Sequence, residues 1–223
     1  MKGKISEIFE SIQGEGIYFG ECQLFVRLYG CNLDCKFCDT RLQWFKEYSS
    51  KELISELKKY KGCYHSISFT GGEPLVQKEF LQEVLPEARK NGFLTYLETN
   101  GTLPDALNTV IGNVNIVAMD IKLPSSTGGK SLWDEHLKFL SIAAKKECFI
   151  KMVICQSTHE SDLLEGLRVI RKSKTNPIVV LQPDSGTGYL KLRKKIEAFR
   201  KICLGENVIV RVIPQMHKIM GIQ

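Results

Sequence analysis

The stretch QLFVRLYGCNLDCKFCDT, residues 23–40, joins an apolar, β-branched run to a loop that holds three cysteines within eight positions. Residues 23–28 predict a β-strand, and Cys31, Cys35 and Cys38 follow it directly. Iron–sulfur clusters and structural zinc sites usually take four protein ligands, but no fourth cysteine completes this pattern. The stretch therefore predicts a strand that leads into an unusual, three-cysteine metal site.

Apolar runs of the same kind recur along the chain, and helical patterns separate them. Alternation of strands and helices predicts βα units and a parallel sheet. A complete eight-stranded barrel typically takes about 250 residues. Because this chain has only 223, we expect an α/β fold with an incomplete, TIM-type barrel of about six parallel strands and outer helices. A doubly wound open sheet is the alternative. The further predicted strands are SISF (66–69), FLTYL (93–97), NIVAM (115–119), FIKMVI (149–154), PIVVL (177–181) and VIVRVI (208–213).

Polar, mostly glycine-containing motifs follow these strands, as the cysteine loop follows the first one. The carboxyl ends of parallel strands meet at one rim, where ligands bind in barrels and in open α/β sheets. We therefore expect the motifs to form one site, with Glu98 and Asn100 as rim candidates on position alone. The motifs are TGGEP (70–74), ETNG (98–101), DIK (120–122), QPDSG (182–186) and PQMHK (214–218).

Local signals predict where some helices begin and end. Ser49 with Glu52, and Ser157 with Glu160, have the spacing of a capping box. Pro86 interrupts a helical pattern and predicts a kink or an early end there.

The composition is that of an ordinary globular protein, with 43% apolar and 25% charged residues. No run approaches the ~20 apolar residues that span a bilayer, and the N-terminus lacks the apolar core of a signal peptide. These features favour the cytoplasm and no membrane partner. The net charge of +6 is mild, and its basic runs lie on or beside predicted helices. We therefore expect no nucleic-acid partner, whereas an anionic small molecule fits a basic protein.

Three thiolates suit zinc, copper(I) or an iron–sulfur cluster. Zinc would want a fourth ligand, and all four histidines are remote in sequence, so a ligand folded in from elsewhere stays open. A four-iron cluster on three cysteines leaves one iron with an open position. Such a position can bind a substrate or cofactor through nitrogen and oxygen donors, as the open position of a catalytic zinc site does.

The cysteine pattern CxxxCxxC (31–38), with GGEP (71–74) after the next strand, resembles the signature of radical S-adenosylmethionine (SAM) enzymes. The resemblance implies that Cys31, Cys35 and Cys38 hold a [4Fe–4S] cluster whose fourth iron binds SAM. The reduced cluster would then cleave SAM to a 5′-deoxyadenosyl radical. The SAM-binding residues that the resemblance implies are Phe37, Gly72, Glu73, Asp120, Ile121, Lys122, Gln182, Asp184 and Ser185.

ESIQGEG (10–16), FVRLYGCN (25–32) and CDT (38–40) together resemble the 7-carboxy-7-deazaguanine synthase family, and the resemblance extends through PQMHKIMGI (214–222). These lyases of queuosine and 7-deazapurine biosynthesis convert 6-carboxy-5,6,7,8-tetrahydropterin to 7-carboxy-7-deazaguanine by a radical ring contraction with loss of ammonia. The resemblance implies one radical SAM domain over 1–223, in which residues 1–22 form a substrate-binding extension and 23–223 the partial barrel.

The same resemblance implies a Mg²⁺ ion on Thr40 that also holds the substrate carboxylate, in keeping with the oxygen ligands that Mg²⁺ prefers. An arginine in a strand beside the cluster could also fork onto that carboxylate. Family analogy further suggests a homodimer and an electron donor such as flavodoxin or ferredoxin. The implied substrate-binding residues are Ile12, Gln13, Gly14, Glu15, Arg27, Thr70 and Gln223.

Three other functions compete with this interpretation. One is another radical SAM enzyme, such as an activase that installs a glycyl radical on a partner protein. Another is an iron–sulfur electron carrier, which would ordinarily ligate all four irons and needs no GGEP motif. The third is a nucleotide phosphatase, because PSSTGGKS (124–131) nearly matches a Walker A loop. Its first glycine is replaced by Pro124, which has no N–H to offer a phosphate.

Overall fold

The computed structural model describes residues 1–40, 42–60 and 62–222. In this part of the chain, nine strands form a single mixed sheet. The strands are β1 (Lys2–Ile12), β2 (Cys22–Leu28), β3 (Lys46–Ser49), β4 (Ser66–Gly71), β5 (Thr95–Thr99), β6 (Ile116–Asp120), β7 (Glu147–Ile154), β8 (Val179–Pro183) and β9 (Val210–Val212).

The strand order is β3-β1-β2-β4-β5-β6-β7-β8-β9, and the seven strands β2 and β4 to β9 run parallel in sequence order. A doubly wound sheet would reverse its order at a switch point, and none occurs here. The incomplete barrel is therefore the better description. Helices connect most of the parallel strands: α1 (Ser50–Leu57), α2 (Lys78–Lys90), α3 (Pro104–Val110), α4 (Pro124–Thr127), α5 (Trp133–Ala143), α6 (Glu160–Lys172), α7 (Tyr189–Gly205) and, after β9, α8 (Met216–Met220).

Two hydrophobic clusters lie on opposite faces of the sheet. The larger contains residues from both strands and helices, such as Leu97 of β5 and Leu163 of α6, and fills the space between them. The smaller consists of strand residues such as Tyr96 and Phe149 and fills the inner face of the barrel. Because successive strand residues point to opposite faces of the sheet, Tyr96 and Leu97 belong to different clusters. The inner cluster closes the barrel below the strand ends and leaves the rim for polar groups.

The seven predicted strands are present, although β5, β8 and β9 each begin two residues later than predicted. Two strands, β1 and β3, were not predicted. They extend the sheet by antiparallel pairing on the β2 side. Within the described residues, no helix is long and apolar enough to cross a membrane.

The capping box of Ser49 and Glu52 is confirmed at the start of α1. The one predicted for Ser157 is wrong, because the Ser157 hydroxyl donates to the Ser125 carbonyl oxygen at 2.7 Å instead of capping α6. The early helix end at Pro86 is also wrong. Helix α2 continues to Lys90 because its buried face, which includes Ala88, extends past the proline and packs into the core.

Candidate active site

A cavity of about 760 Å³ opens at the carboxyl ends of the strands. The polar motifs that follow the strands meet there, as the strand–motif pattern predicts. Three predicted site residues, Glu73, Ile121 and Ser185, are not among the described residues that line this cavity. A fourth, Gln223, lies outside the part of the chain that the structure describes. The predicted residues that line the cavity are Ile12, Gln13, Gly14, Glu15, Arg27, Cys31, Cys35, Phe37, Cys38, Thr40, Thr70, Gly72, Asp120, Lys122, Gln182 and Asp184.

The three cysteines lie on one loop between β2 and β3, and none forms a disulfide. A tight turn orients the loop, in which the Cys38 N–H donates to the Cys35 carbonyl at 3.0 Å. Burial raises the pKa of the Cys31 and Cys35 thiols, so a bound cation is needed to hold both as thiolates at neutral pH. Within the described residues, no three His, Cys, Asp or Glu side chains converge on a single ion. Separate thiols on one cavity wall instead suit a cluster whose irons each take one ligand.

The glycines of TGGEP allow β4 to pass close to the cluster loop. A Cβ on Gly72 would lie 2.2 Å from the Gly30 carbonyl oxygen, and one on Gly71, whose φ is +134°, would lie 2.1 Å from the Leu28 carbonyl oxygen. Neither position accepts a side chain without movement of the backbone. The motif therefore fixes the distance between the end of β4 and the first cysteine.

Glu73 lies behind the cavity wall, fully buried. Its carboxylate accepts hydrogen bonds from the Asn100 N–H at 2.6 Å, the Leu75 N–H at 3.1 Å and the Thr99 hydroxyl at 2.9 Å. Burial raises the pKa of Glu73 to about 7, against the lowering effect of these donors. The side chain thus links the rim of β4 to the rim of β5.

Charged side chains form a chain of ion pairs across the rim. Lys122 lies 2.8 Å and Lys151 3.7 Å from Asp120 Oδ2, and Lys151 also pairs with Glu15. Burial by itself raises the pKa of Glu15, but the attraction and hydrogen bond of Lys151 outweigh burial and lower the pKa to about 2. Lys151 was not predicted, although it is a cation inside an apolar strand, which is the signal that marks Arg27.

Two buried acceptors in the cavity wall have no hydrogen-bond partner among the described residues. They are Asp120 Oδ1 and Gln182 Oε1, at the ends of β6 and β8. Because a buried polar atom without a partner costs free energy, both atoms are suited to receive donors from a ligand. Phe37 offers an aromatic face nearby, with the Lys122 ammonium 5.1 Å from its ring centroid. A ligand with hydroxyl, amine and purine groups, such as SAM, fits this wall.

His136, which sequence reasoning did not assign to the site, supports this wall from behind. Its Nε2 accepts from the Lys122 N–H at 3.1 Å, and its Nδ1 lies 3.0 Å from the Gly101 carbonyl oxygen. Burial lowers the pKa of His136 to about 4, so the ring is neutral, with Nδ1 as the donor. Since its spacing matches no motif, only the folded structure reveals this contact.

On the opposite wall, Glu98 accepts hydrogen bonds from strand β4 and from the N-terminal loop. It accepts from Gln13 Nε2 at 2.8 Å, from the Thr70 hydroxyl at 2.8 Å and from the Ser68 hydroxyl at 3.4 Å. Arg27 lies on β2, next to β4, with its Nε 2.9 Å from Glu7 Oε2. With charged and amide side chains facing the cavity, this wall suits a second, polar ligand.

Thr40 and Asp39 line the mouth of the cavity beside the last cysteine. The Thr40 hydroxyl donates to Asp39 Oδ1 at 3.2 Å, which leaves its oxygen lone pairs free to bind a cation. Asp39 also pairs with Lys218 at 2.5 Å. Burial alone raises the pKa of Asp39, but the hydrogen bond and charge of Lys218 prevail and lower the pKa to about 2. A hard cation with one protein ligand fits here.

The fold and this site define a radical SAM protein, and the family model of the Radical SAM superfamily matches residues 25–181. QueE from Escherichia coli shares the fold, with a TM-score of 0.66 at 20% identity over 95% of this chain and 94% of that chain. The 7-carboxy-7-deazaguanine synthase of Geobacter sulfurreducens is 35% identical, covering 98% of this chain and 97% of the relative. That of Archaeoglobus fulgidus is 33% identical over the whole of both chains. The chain belongs to the 7-carboxy-7-deazaguanine synthase family.

Membership of this family makes the protein an enzyme with a [4Fe–4S] cluster and SAM as cofactors. The electron-carrier alternative is therefore wrong. The phosphatase alternative also fails, because residues 124–127 form helix α4 and the Thr127 carbonyl accepts from the Lys36 N–H at 2.9 Å. This segment therefore contacts the cluster loop.

Proposed function

We propose that this protein converts 6-carboxy-5,6,7,8-tetrahydropterin to 7-carboxy-7-deazaguanine with loss of ammonia, as a lyase of queuosine and 7-deazapurine biosynthesis. The observation that carries the proposal is the similarity to synthases of that name, which extends over 98–100% of this chain. The cavity supports it chemically, because cysteines, an aromatic ring and an arginine line one space.

Cys31, Cys35 and Cys38 would hold the [4Fe–4S] cluster and leave one iron for SAM. When bound, the reduced cluster and SAM supply hydrogen-atom abstraction at a carbon that acid–base chemistry does not activate. The protein's part is to bind and orient. Phe37 would stack on the adenine, while the Asp120 and Gln182 acceptors would receive SAM donors. Further SAM contacts would come from Gly72, Glu73, Ile121, Lys122, Asp184 and Ser185.

The substrate would lie on the wall formed by the N-terminal loop and β2. Arg27 can pair with the substrate carboxylate, and Thr40 would hold a Mg²⁺ ion that binds the same carboxylate. The two cationic groups together would fix the carboxylate while the ring rearranges. The remaining pterin contacts would come from Ile12, Gln13, Gly14, Glu15, Thr70 and Gln223.

The proposal also covers the domain organisation, the electron donor and the oligomeric state. Residues 1–223 would act as one domain, in which residues 1–22 form the substrate-binding extension and 23–223 the barrel. An electron donor such as flavodoxin or ferredoxin would reduce the cluster, and two chains would form a homodimer in the cytoplasm.

The test is anaerobic reconstitution with iron and sulfide, followed by addition of reductant, SAM, Mg²⁺ and 6-carboxytetrahydropterin. We expect 7-carboxy-7-deazaguanine and one equivalent of ammonia by mass spectrometry and ammonia assay. Cleavage of SAM without deazaguanine would leave the superfamily intact and contradict the substrate. Cys35→Ala should lose the SAM-binding four-iron cluster, whereas Cys203→Ala, on the buried face of α7, should keep it. A normal cluster in Cys35→Ala would contradict the ligand assignment.

A further inference from the structure

Arg27 lines the cavity, with its side chain 19% exposed. Glu7 is not among the described residues that line the active-site cavity. It borders a separate depression beside β1, together with Trp44 and Tyr60. The Glu7 carboxylate lies 2.9 Å from Arg27 Nε and therefore contacts the arginine from the β1 side.

This contact uses only one of the five N–H groups of the guanidinium. Among the described residues, the terminal nitrogens of Arg27 make no other hydrogen bond or ion pair. The group also packs over an aromatic side chain, because its Cζ lies 5.3 Å from the centroid of the Phe9 ring, which stacks on Phe25 at 5.0 Å. The two-nitrogen edge that remains is the one that pairs with a carboxylate through two parallel hydrogen bonds.

A β-bulge in β1 brings Glu7 to this position. Ile5 pairs with Leu28, but the next pair is Glu7 with Arg27, so Ser6 is an extra residue on β1. Without the bulge, Ser6 would lie opposite Arg27, and the Glu7 side chain would point to the other face of the sheet. The Ser6 hydroxyl donates to the Trp44 carbonyl at 3.0 Å and secures the bulge. Bulges beside active sites commonly re-aim a side chain in this way.

Stability alone does not account for the pair. The two side chains are 19% and 40% exposed, and ion pairs at this exposure contribute little to the free energy of folding. Removal of Glu7 therefore should not unfold the chain. Its effect should appear where the orientation of Arg27 matters, which is ligand binding.

We infer that Glu7 is a positioning residue, which holds the Arg27 guanidinium so that its free edge receives the carboxylate of the pterin. This inference rests on the proposed function. It predicts that Glu7 affects the recognition of one substituent, the 6-carboxylate, and not of the pterin ring.

The experiment measures two dissociation constants on the reconstituted enzyme with SAM bound, by pterin fluorescence. The probes are 6-carboxypterin and pterin, which differ only in the carboxylate. Glu7→Ala should weaken the binding of 6-carboxypterin on the order of tenfold, since a misaligned charged hydrogen bond costs about that much, and the binding of pterin by less than about twofold. Glu7→Gln keeps an acceptor for Arg27 Nε and should lose less affinity for 6-carboxypterin. Glu10→Ala is the matched control, because Glu10 lies on the same strand, pairs with Tyr64 and does not line the cavity as described.

Turnover provides a second readout, in which Glu7→Ala should raise KM for 6-carboxytetrahydropterin and leave kcat within about twofold. An equal loss of affinity for both probes in Glu7→Ala, or no loss for either, would overturn the inference. Failure of the proposed function looks different. The unmodified enzyme would then bind 6-carboxypterin no better than pterin, or Arg27→Ala would leave that preference intact. Either result would overturn the arginine–carboxylate contact, and this inference with it.

Discussion

The side-chain amide of Gln215 donates a hydrogen bond of 2.7 Å to the carboxylate of Glu15, which lies 200 residues earlier in the chain. The same amide donates to Asp39 at 3.0 Å. The Met216 N–H donates to the Gly14 carbonyl at 2.9 Å. One short segment after β9 therefore joins the N-terminal loop to the cluster loop at the mouth of the cavity.

Gln215→Ala should release this segment, because both hydrogen bonds end on carboxylates and such bonds contribute about 1.5–3 kcal/mol each. We expect faster amide hydrogen exchange at residues 215–222 and a KM for the pterin that rises several-fold. SAM affinity should change little. Gln156→Ala is the control, since Gln156 is exposed and is not among the described residues that line the cavity. Unchanged exchange at 215–222 would show that other contacts hold the segment.

The parallel strands and their polar motifs could be predicted from the sequence, because buried strands appear as continuous apolar runs. Strand β1 could not. Gly3 and Ile5 are buried in alternation, but the extra residue at Ser6 breaks the period of two, so the pattern no longer indicates a strand. The bulge that hides β1 in the sequence is the feature that places Glu7 beside Arg27.

Long-range contacts account for most of what the sequence does not reveal about the site. Lys151 and His136 belong to it through partners that lie 136 and 35 residues away, and no local spacing encodes either contact. Glu73 shows a different limit. Its motif predicts a place near SAM, but two of the three donors to its carboxylate, Thr99 and Asn100, lie at the end of the next strand, and its side chain is buried behind the cavity wall.

Gly72→Ala tests the close approach between β4 and the cluster loop. The added Cβ would lie 2.2 Å from the Gly30 carbonyl oxygen and 2.9 Å from Cys31 Cβ, so the first cysteine must move. We expect fewer irons per chain after reconstitution and SAM binding weakened by at least about tenfold. Gly112→Ala is the control, because its Cβ would meet nothing within 4 Å. A normal cluster and normal SAM affinity in Gly72→Ala would show that the loop yields at little cost.

Thr40→Ala tests the proposed Mg²⁺ ligand. The concentration of Mg²⁺ that gives half-maximal turnover should rise by about tenfold or more, since changes around a metal commonly cost 10- to 100-fold in affinity. The dissociation constant of SAM, measured by calorimetry without Mg²⁺, should stay within about twofold. Thr40→Ser keeps the hydroxyl and should retain the Mg²⁺ response. Parallel losses of Mg²⁺ response and SAM affinity in Thr40→Ala would indicate instead that the residue supports the cluster loop.

The raised pKa of Glu73 predicts a pH-dependent contribution to stability. The folded protein holds the proton up to a pKa of about 7, whereas the unfolded chain releases it near 4.5. Between these values the folded state binds more protons, so the free energy of unfolding falls as the pH rises. The total loss is on the order of 3 kcal/mol and is complete above pH 7. Below pH 4.5 both states are protonated and the carboxyl makes no pH-dependent contribution.

Glu73→Gln removes this titration, and urea unfolding of the metal-free, reduced protein between pH 4.5 and 7.5 measures it. The free energy of unfolding of the unmodified protein, minus that of Glu73→Gln, should decrease by roughly 3 kcal/mol across this range. Glu197→Gln, on the exposed surface of α7, should give a difference that varies by less than about 0.5 kcal/mol. A difference that instead grew with pH would mean that Glu73 is ionised in the folded protein and stabilised by the Asn100 and Thr99 donors. Its carboxylate, and not its neutral acid, would then join β4 to β5.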